Sequence, residues 1–196
     1  MNLLIFSKDY YFNPFNSHCL NNEMLYKLKK LNADIYIIVQ DHPCNYYETT
    51  LRNGDETKIV RVQQYPFASD FYNMKSNSQN NYYADNVRAQ EGGMLLAKQG
   101  CSFDYIIIDN IGYALAAQSY AEIYKIPVIY LKYADQDLKE NLIRTIEEWL
   151  LVFCDYIIDE ENIDVNCDNK QISDQAINIF NLFKDYIADS NSNDGE

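Results

Sequence analysis

The sequence has 196 residues, of which 47% are hydrophobic and 23% charged, with 29 acidic side chains against 16 basic ones. The length suits one domain, and the apolar fraction is that of a globular protein, which excludes a chain that is disordered throughout. The formal net charge of −13 repels nucleic acids and anionic membrane surfaces, so neither is expected as a general partner.

The cysteines, the histidines and the amino-terminal residues indicate a cytoplasmic protein with free thiols. Five cysteines are widely spaced without a Cys-x-x-Cys pair, and His18 and His42 lie in no metal-ligand spacing, so no metal site is predicted. The start MNLLIFSKDYYF lacks the basic leader of a signal peptide. No apolar stretch approaches the roughly 20 residues of a membrane span, so none is expected.

The first hundred residues predict buried strands that alternate with helices. Short continuous apolar runs are typical of strands buried on both faces, and apolar residues at helical spacing indicate helices. Polar, aromatic residues at 7–17 and 63–81 predict two loops. In chain order, the predicted elements are a strand at 2–6, a helix at 20–31, strands at 34–39 and 58–62, and a helix at 82–99 that Gly100 ends.

The second half contains a βαβ unit with short connections, FDYIIID at 103–109, IGYALAAQSYAEIYK at 111–125 and IPVIYLK at 126–132. Short connections through a helix predict parallel strands and a right-handed crossover. The elements predicted after this unit are an amphipathic helix at 135–154, a strand at 154–160 and a helix from the cap residue Ser173 to about Ala188.

The resulting order is β-α-β-β-α-β-α-β-α-β-α, which predicts the α/β class. We expect a single three-layer, Rossmann-like domain with a mostly parallel sheet over residues 1–188. The polar residues 189–196 are expected to form a solvated tail.

In a sheet of this kind, ligands bind in the crevice at the carboxyl ends of the strands, at the point where the strand order reverses. That rule selects the loops after the first, fourth and fifth predicted strands. The candidate ligand-binding residues in these loops are Ser7, Lys8, Asp9, Asn16, Asp109, Asn110 and Lys132. No catalytic residue is identified by its sequence context.

Three of these residues have alternative interpretations. Asp109 and Asn110 can hydrogen-bond a sugar hydroxyl or a ribose, or Asp109 can cap the helix that follows it. Lys8 can pair with a phosphate or a carboxylate, or it can lie in a solvated loop. The sequence contains neither a dinucleotide-binding fingerprint nor a P-loop, so no cofactor is predicted.

Three segments of the chain carry a family resemblance. They are the helix and strand MLYKLKKLNADIYIIV, the stretch FDYIIIDNIGYALAAQSYAEIYKIPVIYLKY, and an acidic helix with Glu147 and Glu148 that leads into CDYIIDEE. Together they resemble the amino-terminal half of GT-B glycosyltransferases of the retaining group that includes glycogen and starch synthases. The resemblance covers most of residues 1–160 and implies the fold of the acceptor-side half of such an enzyme.

At several family positions this sequence has different residues. The family's Gly-Gly pair after the first strand falls near Asn16, its strand-end histidines fall on Ile107 and Asp109, and its aspartate falls on Asn110. The family's donor half, with its nucleotide-sugar pocket and Glu-x7-Glu element, has no counterpart that we identify in these residues. The resemblance therefore implies an acceptor-side half.

Two functions follow as hypotheses. The first is a glycosyltransferase-related protein that binds a sugar or nucleotide sugar and becomes active only with a donor-half partner chain. The alternative is a non-catalytic Rossmann-like module that binds or scaffolds a sugar, a nucleotide or a protein. An exposed cleft would also favour self-association.

Overall fold

The strands of the described chain form one eight-stranded sheet, with helices on both of its faces. The computed structural model describes residues 1–7, 27–28, 30–41, 48–50, 58–63, 78–109, 111–132, 141–159, 163–165 and 173–193. The strands are β1 (Asn2–Phe6), β2 (Asp34–Asp41), β3 (Glu48–Thr50), β4 (Lys58–Gln63), β5 (Tyr105–Ile108), β6 (Val128–Leu131), β7 (Tyr156–Ile158) and β8 (Ile163–Val165). The helices are α1 (Ser78–Lys98), α2 (Ala114–Tyr124), α3 (Asn141–Phe153) and α4 (Asp174–Asn193), and a 3-10 turn at Ile111–Tyr113 precedes α2.

The strand order is β3-β4-β2-β1-β5-β6-β7-β8. The edge strands β3 and β8 pair antiparallel with β4 and β7, and the other pairings are parallel. From β1 the chain first builds outward through β2 and β4, and it then returns to the other side of β1 to build β5, β6 and β7. This is the doubly wound arrangement, and its switch point lies between β1 and β5.

Alternate residues of the central strands pack on opposite faces of the sheet. Leu3 and Ile5 belong to one core cluster, which also contains Phe183 of α4, while Leu4 and Phe6 belong to the other, which contains residues of α1, α2 and α3. All four β1 side chains named here are fully buried. Burial on both faces explains why the strands read as continuous apolar runs, and it produces the three-layer domain that the sequence predicts.

Helices α1 and α2 approach closely on one face because α1 carries a glycine at the contact. A Cβ atom placed on Gly93 would lie 2.8 Å from Cδ2 of Tyr120 in α2. Tyr120 is buried and packs against Phe6 and Phe103. Glycine is unfavourable inside an isolated helix, but at this position the missing Cβ leaves the space that the buried Tyr120 ring occupies.

The structure confirms the predicted α/β class and the mostly parallel sheet, with differences at the element ends. Helix α1 begins at Ser78 rather than at 82, and α4 continues to Asn193, past the predicted end at Ala188. Ser173 does cap α4, because its Oγ accepts a hydrogen bond from the Ala176 amide at 3.1 Å. The short strands β3 and β8 were not predicted, since three-residue edge strands carry too few residues to show a periodic pattern.

The helix predicted at 20–31 lies largely outside the described residues. Lys27 and Leu28 are helical, Leu28 is fully buried, and Asn32 follows with a positive φ of 54°, as is common just after a helix end. Among the predicted free thiols, Cys154 is buried and reduced in the structure, and burial raises its pKa to about 12. Its thiol is therefore neutral at physiological pH and unreactive as a nucleophile.

Candidate functional site: the carboxyl-end crevice at the strand switch

The switch point between β1 and β5 brings two of the predicted site residues together. Ser7 follows the last residue of β1 and Asp109 follows the last residue of β5, and the two strands pair in parallel through Phe6 and Ile108. The chain leaves these two strands toward opposite sides of the sheet, toward β2 after β1 and toward β6 after β5. In doubly wound sheets, ligands bind in a crevice outside the carboxyl ends of the strands at such a switch point.

A buried hydrogen bond joins Ser7 and Asp109 at this edge. The Ser7 hydroxyl Oγ donates to Oδ2 of Asp109 at 2.8 Å, and both residues are fully buried. The Ser7 amide donates to the carbonyl of Ile38 at 3.0 Å, which continues the pairing between β1 and β2. The pair therefore links β1 to both of its neighbours, β2 and β5, at the switch point.

Asp109 is not the cap residue of α2 itself. The 3-10 turn Ile111–Tyr113 separates Asp109 from α2, and the cap position of α2 is Tyr113, which makes no side-chain capping bond. The sequence D-N-I-G-Y places an aspartate before the helix, but the additional turn moves the helix start away from it.

A side chain of helix α1 provides the capping hydrogen bond at the start of α2. Oδ1 of Asn86 accepts the Ala116 amide at 2.9 Å, while its Nδ2 donates to the carbonyls of Gly112 at 3.0 Å and Tyr82 at 2.9 Å. The Tyr82 hydroxyl donates to the carbonyl of Ile111 at 2.8 Å. Two side chains of α1 thus hold the turn that follows Asp109.

Burial keeps the Tyr82 hydroxyl in the protonated form that donates. Desolvation raises the pKa of Tyr82 well above its usual value, against smaller opposing contributions from hydrogen bonds with Asn86 and with the Leu115 backbone. Tyr82 therefore remains a donor over the whole physiological pH range.

Lys132 lies at the same edge, one strand further along the sheet. It follows β6, it is half-buried, and its amide donates to the Ile158 carbonyl of β7 at 2.8 Å. Because β6 pairs with β5 in parallel, Lys132 lies at the same carboxyl edge of the sheet as Asp109. The other candidates, Lys8, Asp9, Asn16 and Asn110, lie outside the described residues.

Sequence reasoning missed Tyr82 and Asn86. Both lie inside a predicted helix, and a helix offers no sequence mark for a contact with a distant turn. A partial signal exists, because asparagine is a poor helix former whose side chain tends to bond backbone groups. A buried asparagine inside a helix next to a crevice is therefore a candidate for holding a loop.

A hollow of about 550 Å³ lies at the opposite, amino-terminal edge of the sheet. Its lining includes Lys125 at the end of α2, Phe153 at the end of α3, and Asp155 just before β7. Oδ2 of Asp155 accepts the Val128 amide at 2.8 Å, so this carboxylate joins the start of β7 to the start of β6. The hollow is therefore remote from the switch point.

The described residues contain no group of three or more histidine, cysteine, aspartate or glutamate side chains arranged to hold a metal ion. Among the helices of the described segments, none has both the length and the apolar character needed to cross a membrane.

Comparisons with known proteins support the fold. The sequence matches no family model, and it matches no curated protein sequence. The structure is similar to that of a sucrose-phosphate synthase from Thermosynechococcus elongatus, with a TM-score of 0.54 and 11% sequence identity. The similarity covers 81% of this chain and 76% of the other chain. The chain therefore has a Rossmann-like α/β fold similar to that of this structure.

Proposed function

We propose that this chain is the acceptor-side half of a GT-B glycosyltransferase of the glycogen and starch synthase-like retaining group. Its crevice at the strand switch takes the acceptor sugar, and transfer requires a donor half provided by a partner chain. The observation that carries the proposal is the polar pair Ser7–Asp109 at the carboxyl edge of β1 and β5, in a fold similar to that of a sucrose-phosphate synthase. Polar groups at this edge are where α/β sheets bind ligands.

The roles that we propose for the individual residues follow from how exposed their side chains are. Ser7 and Asp109 are fully buried, so they form the floor of the crevice rather than its contact surface. Lys132 is half-buried and contributes a positive charge beside that floor. Lys8, Asp9, Asn16 and Asn110 belong to the connecting residues after β1 and β5, and they are the further candidates for hydrogen bonds to sugar hydroxyls.

In this proposal the chain positions the acceptor sugar and supplies no group that takes part in bond making or breaking. It would hold an acceptor hydroxyl against the anomeric carbon of a sugar carried by the donor half, which lowers the entropic part of the barrier. The donor half would stabilise the departing nucleotide diphosphate. The net charge of −13 disfavours a nucleotide sugar on this chain, which agrees with the donor binding elsewhere.

The non-catalytic alternative is favoured by one specific observation. Asp109 occupies a position where the resemblance implies a histidine, and its carboxylate is buried and accepts a hydrogen bond from Ser7. A buried carboxylate engaged in this way serves the fold. The same crevice would then bind a sugar, nucleotide or protein without any transfer, whatever chain is added.

A transfer assay separates these proposals. The purified chain is incubated with UDP-glucose or ADP-glucose and with maltose as acceptor, and released nucleotide diphosphate is measured. We expect no turnover by the chain alone and turnover when a donor half is added, since only the second mixture contains both sides of the cleft. Turnover by the chain alone would contradict the half-enzyme proposal, and sugar binding without turnover in any mixture would favour the non-catalytic one.

A further inference from the structure

We infer that Asn86, on α1, is a positioning residue for the proposed crevice, because it sets the shape of the 3-10 turn Ile111–Tyr113 that leads into α2. The turn begins two residues after Asp109, and Asn86 belongs to the helix that packs beside the turn and α2. The two are 26 to 30 positions apart in sequence and meet through hydrogen bonds of 2.9–3.0 Å.

The Asn86 side chain reaches both sides of the turn. Its Nδ2 donates to Gly112 inside the 3-10 turn, and its Oδ1 accepts from Ala116 in the first turn of α2. Asn86 is only 4% exposed, so these bonds lie in an environment with little competing water. Since Tyr113 provides no capping bond of its own, the start of α2 depends on this side chain.

Contacts before and after Asn86 fix helix α1 against the turn and α2. Tyr82 lies one turn before it and bonds Ile111, and Gly93 lies two turns after it and allows close contact with Tyr120. One turn beyond Asn86, Gln90 donates through Nε2 to Ser119 Oγ of α2 at 3.0 Å. Gln90 therefore joins the same two helices without touching the turn, and it is the matched control.

Amide hydrogen exchange followed by NMR tests the effect on the turn. In Asn86→Ala we expect the Ala116 amide to exchange about tenfold faster or more, because its buried acceptor is lost, while the Ile5 amide in the sheet is unchanged. In Gln90→Ala, Ala116 should keep its protection. Protection of Ala116 retained in Asn86→Ala, or lost equally in both variants, would overturn the inference.

A conservative variant separates positioning from a general loss of stability. Asn86→Asp keeps an oxygen acceptor for Ala116 but replaces the Nδ2 donor to the carbonyls of Gly112 and Tyr82 by a second oxygen. We expect Ala116 protection to be largely restored, while the carbonyl ¹³C shift of Gly112 changes as it does in Asn86→Ala. No restoration of Ala116 protection by Asn86→Asp would contradict the assigned role, and this variant serves equally if Asn86→Ala does not fold.

A binding experiment on the same variants, which rests on the proposed function, uses maltose as the probe. We expect Asn86→Ala to weaken maltose binding about tenfold, and Gln90→Ala to change it less than twofold. If the unmodified protein binds maltose and both variants bind it equally, Asn86 does not position the crevice. If the unmodified protein does not bind maltose, the proposed function fails, and the exchange measurements still decide the role of Asn86 in the turn.

Discussion

At the scale of single residues, the hydrogen bond between Ser7 and Asp109 joins positions 102 residues apart at the carboxyl ends of two neighbouring strands. The strand-end pattern predicts that both residues lie at this edge, because each follows an apolar run. It does not predict the bond between them or their complete burial. Those depend on how β1 and β5 pair, and the register of two distant strands is not encoded in either segment alone.

Removing the Ser7 hydroxyl tests the importance of this bond. We expect Ser7→Ala to lower the free energy of unfolding by about 1–3 kcal/mol, because a buried carboxyl oxygen loses its donor. Urea denaturation followed by circular dichroism measures the change. Ser119→Ala is the control, since its hydroxyl accepts a bond from Gln90 in a partly buried place and should cost less. Equal losses in the two variants would contradict the assigned role.

At the scale of elements, the central strands and helices could be predicted and the smallest elements could not. The run FDYIIID predicts β5 because apolar residues follow one another without a break, and the structure confirms that strand. The segments Glu48–Thr50 and Ile163–Val165 form edge strands by pairing with β4 and β7. Three residues give no period to read, so only the tertiary pairing defines them.

The contact between helices α1 and α2 was also beyond prediction, and Gly93 provides its test. We expect Gly93→Ala to destabilise the protein by about 1–3 kcal/mol because its Cβ would overlap the Tyr120 ring. The higher helix propensity of alanine offsets part of this, about 1 kcal/mol. Thermal and urea unfolding measure the result.

A double-mutant cycle provides the control for that prediction. In a Tyr120→Leu background the ring is absent, so Gly93→Ala should cost clearly less, or even stabilise through helix propensity. The same cost in both backgrounds would mean that Gly93 and Tyr120 are not in close contact.

At the scale of the whole molecule, the doubly wound sheet has its switch point between β1 and β5, the place where sheets of this kind bind ligands. Ser7 and Asp109 lie at the carboxyl ends of β1 and β5, at the strand switch, and Lys132 lies one strand further along the same edge, after β6. The sequence predicted this edge because carboxyl ends of parallel strands share one side of a sheet. It did not predict the contribution of Asn86, because that residue reaches the edge only through the packing of α1 on α2.

The acceptor-side account is tested most directly by mapping sugar binding on the folded chain. Amide ¹H–¹⁵N spectra are recorded during titration with maltose and, separately, with glucose 6-phosphate. The account predicts saturable shifts at the Ser7, Asp109 and Lys132 amides. The sugar affinity obtained from these shifts should fall several-fold in Lys132→Ala. It should be unchanged in the control Lys98→Ala, because Lys98 is an exposed residue at the end of α1, at the opposite edge of the sheet. The absence of saturable shifts with both sugars, or shifts confined to Asp104 and Asp155 at the amino-terminal edge, would contradict it.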